Sequence, residues 1–341
     1  MKSLKRSFYE PLLHVIKIHQ IQSILLGISG GPDSVALLHL LVDYCCCNSL
    51  CLSAAHVNFG LRGEDSNLDE AFVKKLCEKL KVPLHLHQVL TKDWELTPGT
   101  GTEEKARHIR YDFFNQLMES FGMDTLAVGH TQDDVLETLL FNMIRGTSPE
   151  KISHLMPFFD PDRRILRPLV PFSKTAILAY LEQEGQDYRT DTSNFTQRYS
   201  RNILRNQIIP LMEEINPQVS SAFFRFKDLV ALEQDLISDS IKKLLFPPLW
   251  DNQLSKNGWL RVRRPLYLKL HHAYQLRLIR EARQQVMGHT RHFYYPTIFS
   301  ICQGIHQSVQ FRYNDKSMKI WTRQNWVYFK KNDEEDKNVR D

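Results

Sequence analysis

A short glycine-containing loop carries the first chemical signature of this sequence. An apolar run typical of a buried strand precedes it, a helical pattern follows, and its residues are Ser29, Gly30, Gly31, Pro32, Asp33 and Ser34. Glycines let the backbone approach a phosphate closely, and the N-terminus of a helix favours anions. The loop lacks the Gly-Lys-Ser/Thr of a Walker A motif, and an acid beside phosphates implies a bridging Mg²⁺. A turn that merely has this sequence is the alternative.

Two acidic residues on a later predicted helix form a second candidate site. Asp134 and Glu137 are three positions apart, so their carboxylates share one helix face. Such a pair can hold an ammonium group and accept its proton, although acids in a first turn also cap helices. His130 precedes the pair and His56 lies in another predicted strand. Both are candidate nucleotide ligands, with structural roles as the alternative.

The elements that must position these residues alternate along the first two hundred residues. Strand and helix patterns follow one another at residues 22–28, 34–44, 52–59, 67–80, 83–90, 102–121, 125–129 and 132–145. This order predicts an α/β fold, a doubly wound parallel sheet with helices on both faces. Ligands collect at the carboxyl ends of such strands, where the glycine loop, residues 56–62 and residues 130–134 would meet.

The rest of the chain predicts a helical linker and a smaller domain. A long amphipathic helix is expected over residues 219–245, and a β-hairpin turning at Asn314-Asp315 within residues 310–331. We expect a catalytic domain over residues 1–215 and a C-terminal domain over residues 216–331. The charged end, residues 332–341, has no apolar anchor and is expected to be disordered.

Basic residues are concentrated near the C-terminus. Residues 256–331 contain fifteen Lys or Arg and two acids, a net charge of +13, whereas the whole chain carries +5. This asymmetry predicts a module that binds a polyanion, with a solvated basic face as the alternative. Arg263 and Arg264 are its adjacent arginines, and aromatic residues such as Trp259, Tyr267 and Tyr274 interleave with its basic residues.

Composition bounds the class of protein. The 341 residues allow two domains, and 42% hydrophobic with 24% charged residues is typical of a soluble globular chain. No apolar run reaches membrane-spanning length and no signal peptide is recognisable, so we expect a cytoplasmic protein without a membrane partner. Six cysteines without a CxxC pair predict reduced thiols rather than a zinc or redox site. The sequence leaves a homodimer open.

The motifs together resemble a known family. The loop matches the Ser-Gly-Gly-X-Asp-Ser signature of the PP-loop ATP pyrophosphatase superfamily. The block from His130 to Thr138, with Arg145-Gly146 after it, resembles that of tRNA(Ile)-lysidine synthetases. Further matches in family order are His56-Val57-Asn58, Leu61-Arg62, Glu104, Ala106-Arg107, Arg110-Tyr111, Arg167-Pro168-Leu169, Asp191, Ser193-Asn194 and Arg201-Asn202.

This resemblance implies a ligase that forms a carbon–nitrogen bond. Such enzymes use ATP and Mg²⁺ to adenylate the C2 oxygen of the wobble cytidine in a CAU-anticodon isoleucine tRNA, and pyrophosphate leaves. The amino group of free L-lysine then attacks C2 and AMP leaves. The modified tRNA(Ile) reads AUA instead of AUG.

The resemblance also implies roles for the matched residues. ATP is expected at the glycine loop with His56 and His130, and Mg²⁺ at Asp33. Lysine is expected at Asp134 and Glu137. The catalytic residues are expected to be Asp33, Asp134, Glu137 and Arg107. Arg110 and Arg201 are expected to bind tRNA, while a solvated face paired with Glu103 and Glu104 is the alternative for Arg107 and Arg110. Independently of the resemblance, Arg205 is expected to bind tRNA because it lies four positions from Arg201 on one helix, and Arg263 and Arg264 because they belong to the basic stretch.

Two positions depart from the family pattern, and three alternative functions remain. Phe59 stands where the family usually has histidine and Val135 where it usually has glutamine, which affects the details of the adenine or base pocket. A PP-loop tRNA thiolase would carry paired cysteines. A synthetase of the NAD or GMP kind needs no basic domain, and a non-catalytic tRNA-binding protein needs no acid pair. The chain is short for the family, so a second C-terminal domain is expected to be reduced.

Overall fold

The computed structural model describes residues 4–99, 101–189, 200–245, 250–251, 259–288 and 293–332. The chain forms two compact units that divide between Leu232 and Glu233. The expected tail lies outside the described residues from position 333 onward, while Asn332 is held by its N–H, which donates to the Ser317 carbonyl at 2.9 Å. Among the described residues, no helix has both the length and the apolar character that a membrane crossing requires.

A six-stranded sheet forms the centre of the first unit, in the order β3-β2-β1-β4-β6-β5. Its strands are β1 (Ser23–Gly27), β2 (Cys51–Asn58), β3 (Leu84–Gln88), β4 (Thr125–Ala127), β5 (Phe159–Asp160) and β6 (Ile165–Leu166). All neighbours pair in parallel except β5, which runs antiparallel to β6. The predicted parallel sheet is confirmed; the two-residue strands β5 and β6 were not predicted, because they are too short to show a period.

Helices cover both faces of this sheet. They are α1 (Leu4–His19), α2 (Pro32–Asn48), α3 (Glu64–Lys79), α4 (Thr91–Leu96), α5 (Thr102–Ser120), α6 (Gln132–Ile144), α7 (Pro149–Ser153), α8 (Lys174–Gln183), α9 (Ser200–Ile203), a π-helix (Leu204–Ile208), α10 (Ile209–Ile215) and α11 (Val219–Leu245). Ile24 and Leu26 of β1 pack in a core with α1, α2 and α8, whereas Leu25 packs in another with α5. Burying each side chain contributes about 1.5–3 kcal/mol. This alternation confirms the doubly wound architecture.

Helix α2 begins and ends at recognisable signals. Gly31 is its N-cap with extended backbone, Pro32 occupies the first turn, and Ser49 follows its end with a left-handed φ of 54°. The helix is longer than the predicted 34–44 at both ends, because Pro32 starts a helix well and Cys45 is buried in the core. All six cysteines are free thiols, three of them buried.

In its described residues, the second unit contains the end of α11, an antiparallel sheet and three further helices. The strand order is β7-β8-β11-β10-β9, with β7 (Trp250–Asp251), β8 (Trp259–Arg263), β9 (Arg312–Asn314), β10 (Met318–Arg323) and β11 (Trp326–Lys331). The helices are α12 (Arg264–Tyr267), α13 (His272–Met287) and α14 (Tyr295–Gln307). The hairpin expected at Asn314-Asp315 is confirmed as β9–β10, and a second hairpin joins β10 to β11. Buried Leu260, Ile320 and Phe329 share one core with α13 and α14.

Candidate active site

The glycine loop, residues 29–34, is closed by its own hydrogen bonds. Ser34 Oγ accepts from the Ser29 N–H at 3.2 Å and donates to the Gly31 carbonyl at 2.9 Å. Gly31 N–H donates to Ser29 Oγ at 3.4 Å, and Gly30 has a φ of +90°, which favours glycine. The Ser34 hydroxyl, expected as a phosphate donor, is buried and holds the shape of the loop. The first N–H groups of α2 have no partner within the helix and are available to an anion.

His56 packs behind this loop from β2. Its Nδ1 lies 2.9 Å from the Ile28 carbonyl, so Nδ1 carries the proton and donates. Nε2 is buried without a hydrogen-bond partner in the structure. Burial lowers the pKa of His56, which keeps the ring neutral and Nε2 an acceptor. An unpartnered acceptor this deeply buried is unusual, and a donor from a ligand or an ordered water would satisfy it.

His130 reaches the same edge of the sheet from the end of β4. Burial is the main cause that lowers the pKa of His130 to about 4, opposed by the charge of Asp134, so the ring is neutral at pH 7. Its Nδ1 is buried and has no hydrogen-bond partner among the residues that the structure describes. Gly129 makes this approach possible, because a Cβ there would lie 3.1 Å from the carbonyl carbon of Asp33. The need for a glycine at position 129 was not predicted from the sequence. The clue that could have indicated it is its place directly before His130.

Asp33 lies in the first turn of α2, at the centre of the site. Burial raises the pKa of Asp33 to about 6, the charge of Lys174 opposes this shift, and the charges of Asp134 and Asp133 add to it. In the described part of the chain, its Oδ1 is buried and has no hydrogen-bond partner. Among the described residues no three His, Cys, Asp or Glu side chains converge on a metal position. One unpaired carboxylate oxygen nevertheless fits Mg²⁺, which is usually held by one or two carboxylates together with substrate phosphates.

The acid pair, Asp134 and Glu137, faces a cation in this structure. Arg205 Nη2 lies 2.8 Å from Glu137 Oε2 and 3.5 Å from Asp134 Oδ1. Asp134 Oδ2 accepts from the Thr131 N–H at 2.8 Å at the start of α6. Asp134 therefore does both things that the sequence allowed, since one oxygen caps the helix and the other faces the cation. The two carboxylates thus bind a cationic group, the Arg205 guanidinium, near the carboxyl end of β4.

Serines of α11 hold the N-terminus of α6 in place. Ser220 Oγ donates to Asp133 Oδ1 at 2.8 Å, and Ser221 Oγ donates to Gln132 Oε1 at 2.9 Å. The Lys174 N–H donates to the other oxygen of Asp133 at 2.6 Å. The sequence offered no signal for these contacts, because the partners are 41 to 89 positions apart.

The two arginines expected on α5 are exposed and lie over aromatic rings. The Arg107 guanidinium is 4.8 Å from the centroid of Tyr111, and that of Arg110 is 5.2 Å from the centroid of Phe59. Phe59, where the family usually has histidine, thus supports Arg110. Val135, the other departure, is fully buried in an apolar cluster on the inner side of α6, so it does not reach the site.

The residues expected to bind tRNA fall in different places. Arg205 was expected to face a tRNA backbone and lies instead on the acid pair. Arg201 belongs to α9, and its side chain is outside the described part of the structure. The Arg264 guanidinium donates to the Ile305 carbonyl at 2.8 and 3.0 Å and so caps the end of α14, which is a structural role. Arg263 is exposed at the end of β8.

Arg263 belongs to a basic and aromatic surface of the second unit, the outer sheet face. This face carries the side chains that alternate with the buried ones on β8, β10 and β11: Trp259, Arg261, Arg263, Lys319, Trp321, Arg323, Trp326, Tyr328 and Lys330. Arg261 lies 4.3 Å from the centroid of Trp326, and the rings of Trp321 and Tyr328 stack with centroids 5.0 Å apart. These three strands contain no acid. Tyr267, in contrast, is buried in the core.

Comparison with known proteins identifies the family of the first unit. The PP-loop domain family matches residues 4–212. A tRNA(Ile)-lysidine synthase of Bacteroides thetaiotaomicron is 38% identical over 230 residues, which are 66% of this chain and 52% of that protein. One of Chlorobaculum tepidum is 38% identical over 214 residues, 63% and 64% of the two chains. A tRNA(Ile)-lysidine synthase of Geobacillus kaustophilus is 32% identical over 271 residues, which are 76% of this chain and 58% of that protein.

The chain therefore spans 52–64% of the length of these curated relatives. Among solved structures, a U34-tRNA thiolase from Methanococcus maripaludis is similar with a TM-score of 0.51 at 21% identity, covering 67% of this chain and 80% of that one. At this identity the likeness concerns the fold.

Proposed function

Because this chain belongs to the PP-loop domain family, we propose that it is an ATP-dependent ligase that joins L-lysine to the wobble cytidine of a CAU-anticodon isoleucine tRNA. The observation that carries the proposal is the acid pair. Asp134 and Glu137 hold a cation at the carboxyl edge of the sheet, where the glycine loop also ends. A site that takes a guanidinium can take the ammonium of lysine, while ATP pyrophosphatase chemistry alone has no need for it.

ATP is proposed to bind along the edge formed by β1, β2 and β4. The N–H groups of α2 receive a phosphate, and the buried acceptor Nε2 of His56 receives a donor of the nucleotide or the base. The buried Nδ1 of His130 is proposed to bond to another polar group of the nucleotide or the base. Mg²⁺ is proposed at Asp33 Oδ1, where it would neutralise phosphate charge. With its pKa raised to about 6 by burial, the Asp33 carboxylate is mostly ionised at pH 7, and a bound cation would stabilise it.

The chemistry proceeds in two displacements. The cytidine C2 oxygen attacks the α-phosphorus of ATP, the bond to the β-phosphate oxygen breaks, and pyrophosphate leaves with that electron pair. The lysine amine then attacks C2, loses its proton to the acid pair, and expels AMP with the former C2 oxygen. The exposed guanidinium of Arg107 is proposed to stabilise negative charge that develops in these steps.

The outer sheet face supports RNA as the polyanion. Its arginines and lysines suit phosphates, and its tryptophans and tyrosine offer surfaces on which bases stack. Arg110 and Arg263 are the proposed tRNA contacts that belong to exposed residues in the described structure. A cytoplasmic location is proposed, since tRNA, ATP and free lysine meet there.

Mass spectrometry of the wobble cytidine tests this function. We expect incubation with the tRNA, ATP, Mg²⁺ and L-lysine to convert cytidine to its lysine adduct, and norleucine, which lacks the side-chain ammonium, to give none. A methionine tRNA with the same anticodon controls for tRNA identity. Release of AMP and pyrophosphate without any lysine adduct would overturn the lysine assignment.

A further inference from the structure

A buried carboxylate outside the acid pair holds two arginines. Asp69 of α3 is 6% exposed, and its Oδ1 accepts from Arg189 Nε at 2.8 Å. Its other oxygen accepts from Arg62 Nη2. One buried carboxylate thus holds two guanidinium groups at the same place.

This cluster lies against the glycine loop. The Arg189 N–H donates to the Gly30 carbonyl at 2.9 Å, and a Cβ on Gly30 would lie 3.7 Å from Arg189 Cγ. The stem of Arg189 therefore packs on the turn of the loop. His56, whose ring is bonded to Ile28 immediately before the loop, carries the buried unpartnered Nε2 and points independently to a ligand at this place.

The glycine loop itself lacks a cation for the outer phosphates. A Walker A loop supplies a lysine at this point, and here the corresponding part of the loop contains Asp33, which adds negative charge. Two arginines oriented by a shared carboxylate can each donate two N–H groups to phosphate oxygens. The contact with Asp69 engages Arg189 through Nε, the side of the guanidinium, rather than through both terminal nitrogens.

We propose that Arg62 and Arg189 bind the β- and γ-phosphates of ATP and the pyrophosphate that leaves, and that Asp69 is the positioning residue that aims them. This inference rests on the proposed function, because it assigns a place to the leaving group of that reaction. The pair takes the role that the lysine has in a Walker A loop.

Calorimetric titration of the full chain with magnesium pyrophosphate and, separately, with AMP tests the proposal. Arg189→Gln is expected to weaken pyrophosphate binding on the order of tenfold or more, because two charge-assisted hydrogen bonds are lost, and to leave AMP affinity within about twofold. Arg163→Gln removes another exposed arginine of the same unit and should leave both affinities unchanged. Arg189→Lys, a point charge, should retain part of the affinity.

The outcomes separate this inference from the proposed function. Failure of the unchanged protein to bind either ligand overturns the proposed function. Normal binding by the unchanged protein and equal binding by Arg189→Gln overturns only the arginine assignment. For Asp69→Asn, we expect a lower melting temperature, because a buried carboxylate between two arginines is lost, and a selective loss of pyrophosphate affinity when the folded variant is titrated below its melting transition. Equal losses for pyrophosphate and AMP would reduce Asp69 to a structural residue.

Discussion

Arg205 Nη2 lies 2.8 Å from Glu137 Oε2, so a guanidinium of the protein itself stands on the acid pair. Arg205 comes from the π-helix Leu204–Ile208, a type of irregularity that is frequent at functional sites. A lysine ammonium that binds the same carboxylates must compete with this side chain or displace it.

We therefore predict that Arg205→Gln makes the protein depend on lysine for stability. Removing the guanidinium leaves Glu137, only 10% exposed, beside Asp134 without this cation, and we expect a loss of about 1–2 kcal/mol. Thermal melts with and without L-lysine measure it, with norleucine as the control. Lysine should raise the melting temperature of the variant more than that of the unchanged protein; equal shifts would show that lysine binds elsewhere.

Asp33→Asn is predicted to stabilise the fold while abolishing adenylation. The pKa of Asp33 is raised to about 6 in the folded chain from an ordinary value of 3.8, so its ionisation costs folding free energy as pH rises from about 4 to about 6. At pH 7.5 the variant should gain on the order of 2 kcal/mol, and near pH 3.5 the gain should vanish. Chemical denaturation at the two pH values measures this. A variant that is less stable at pH 7.5 would contradict the burial argument.

Gly129→Ala is predicted to disrupt the site locally. A Cβ would lie 3.1 Å from the carbonyl carbon of Asp33 and 3.2 Å from Ser34 N, so the end of β4 and the start of α2 must separate. We expect a loss of about 1–3 kcal/mol of stability and a drop in ATP affinity of at least about tenfold. Gly101→Ala is the matched control, because a Cβ there meets nothing within 4 Å. If Gly129→Ala bound ATP as tightly as the original protein, His130 and Asp33 would not both belong to the ATP site.

Substitutions of the neighbouring residues Arg263 and Arg264 are predicted to affect different properties, tRNA binding for Arg263 and stability for Arg264. Arg264→Gln deprives the Ile305 carbonyl of its partner and should cost about 1–3 kcal/mol. Arg263→Gln should leave the melting temperature unchanged, weaken tRNA binding, and lower the slope of log affinity against log salt by about one. Filter binding across a salt series compares the two. An unchanged slope for Arg263→Gln would mean that the outer sheet face does not meet phosphate.

Local patterns in the sequence predicted much of the first unit. Helix α11 matches its expected bounds, 219–245, because helical periodicity is a local property. Strand β1 is one residue shorter than expected at each end, and α5 is one residue shorter at its C-terminal end. The glycine loop, His56, His130 and the acid pair come to one edge because parallel strands require it.

Contacts between distant residues could not be predicted in this way. Asp69 and Arg189 are 120 positions apart, and Asp134 and Arg205 are 71 apart. Which cation meets which carboxylate depends on how the chain closes in three dimensions, and no period or motif records it. The same limit explains Arg264, whose neighbour Arg263 faces solvent while its own side chain reaches α14.

The bonds that Ser34 makes within the glycine loop affect how tightly a nucleotide can bind. A loop that is already ordered by its own serines loses little conformational entropy when a phosphate arrives, so little of the interaction energy is spent on folding the site. Ser34→Ala would release this restraint without touching the ligand. Its effect would appear as a more unfavourable binding entropy at nearly constant enthalpy.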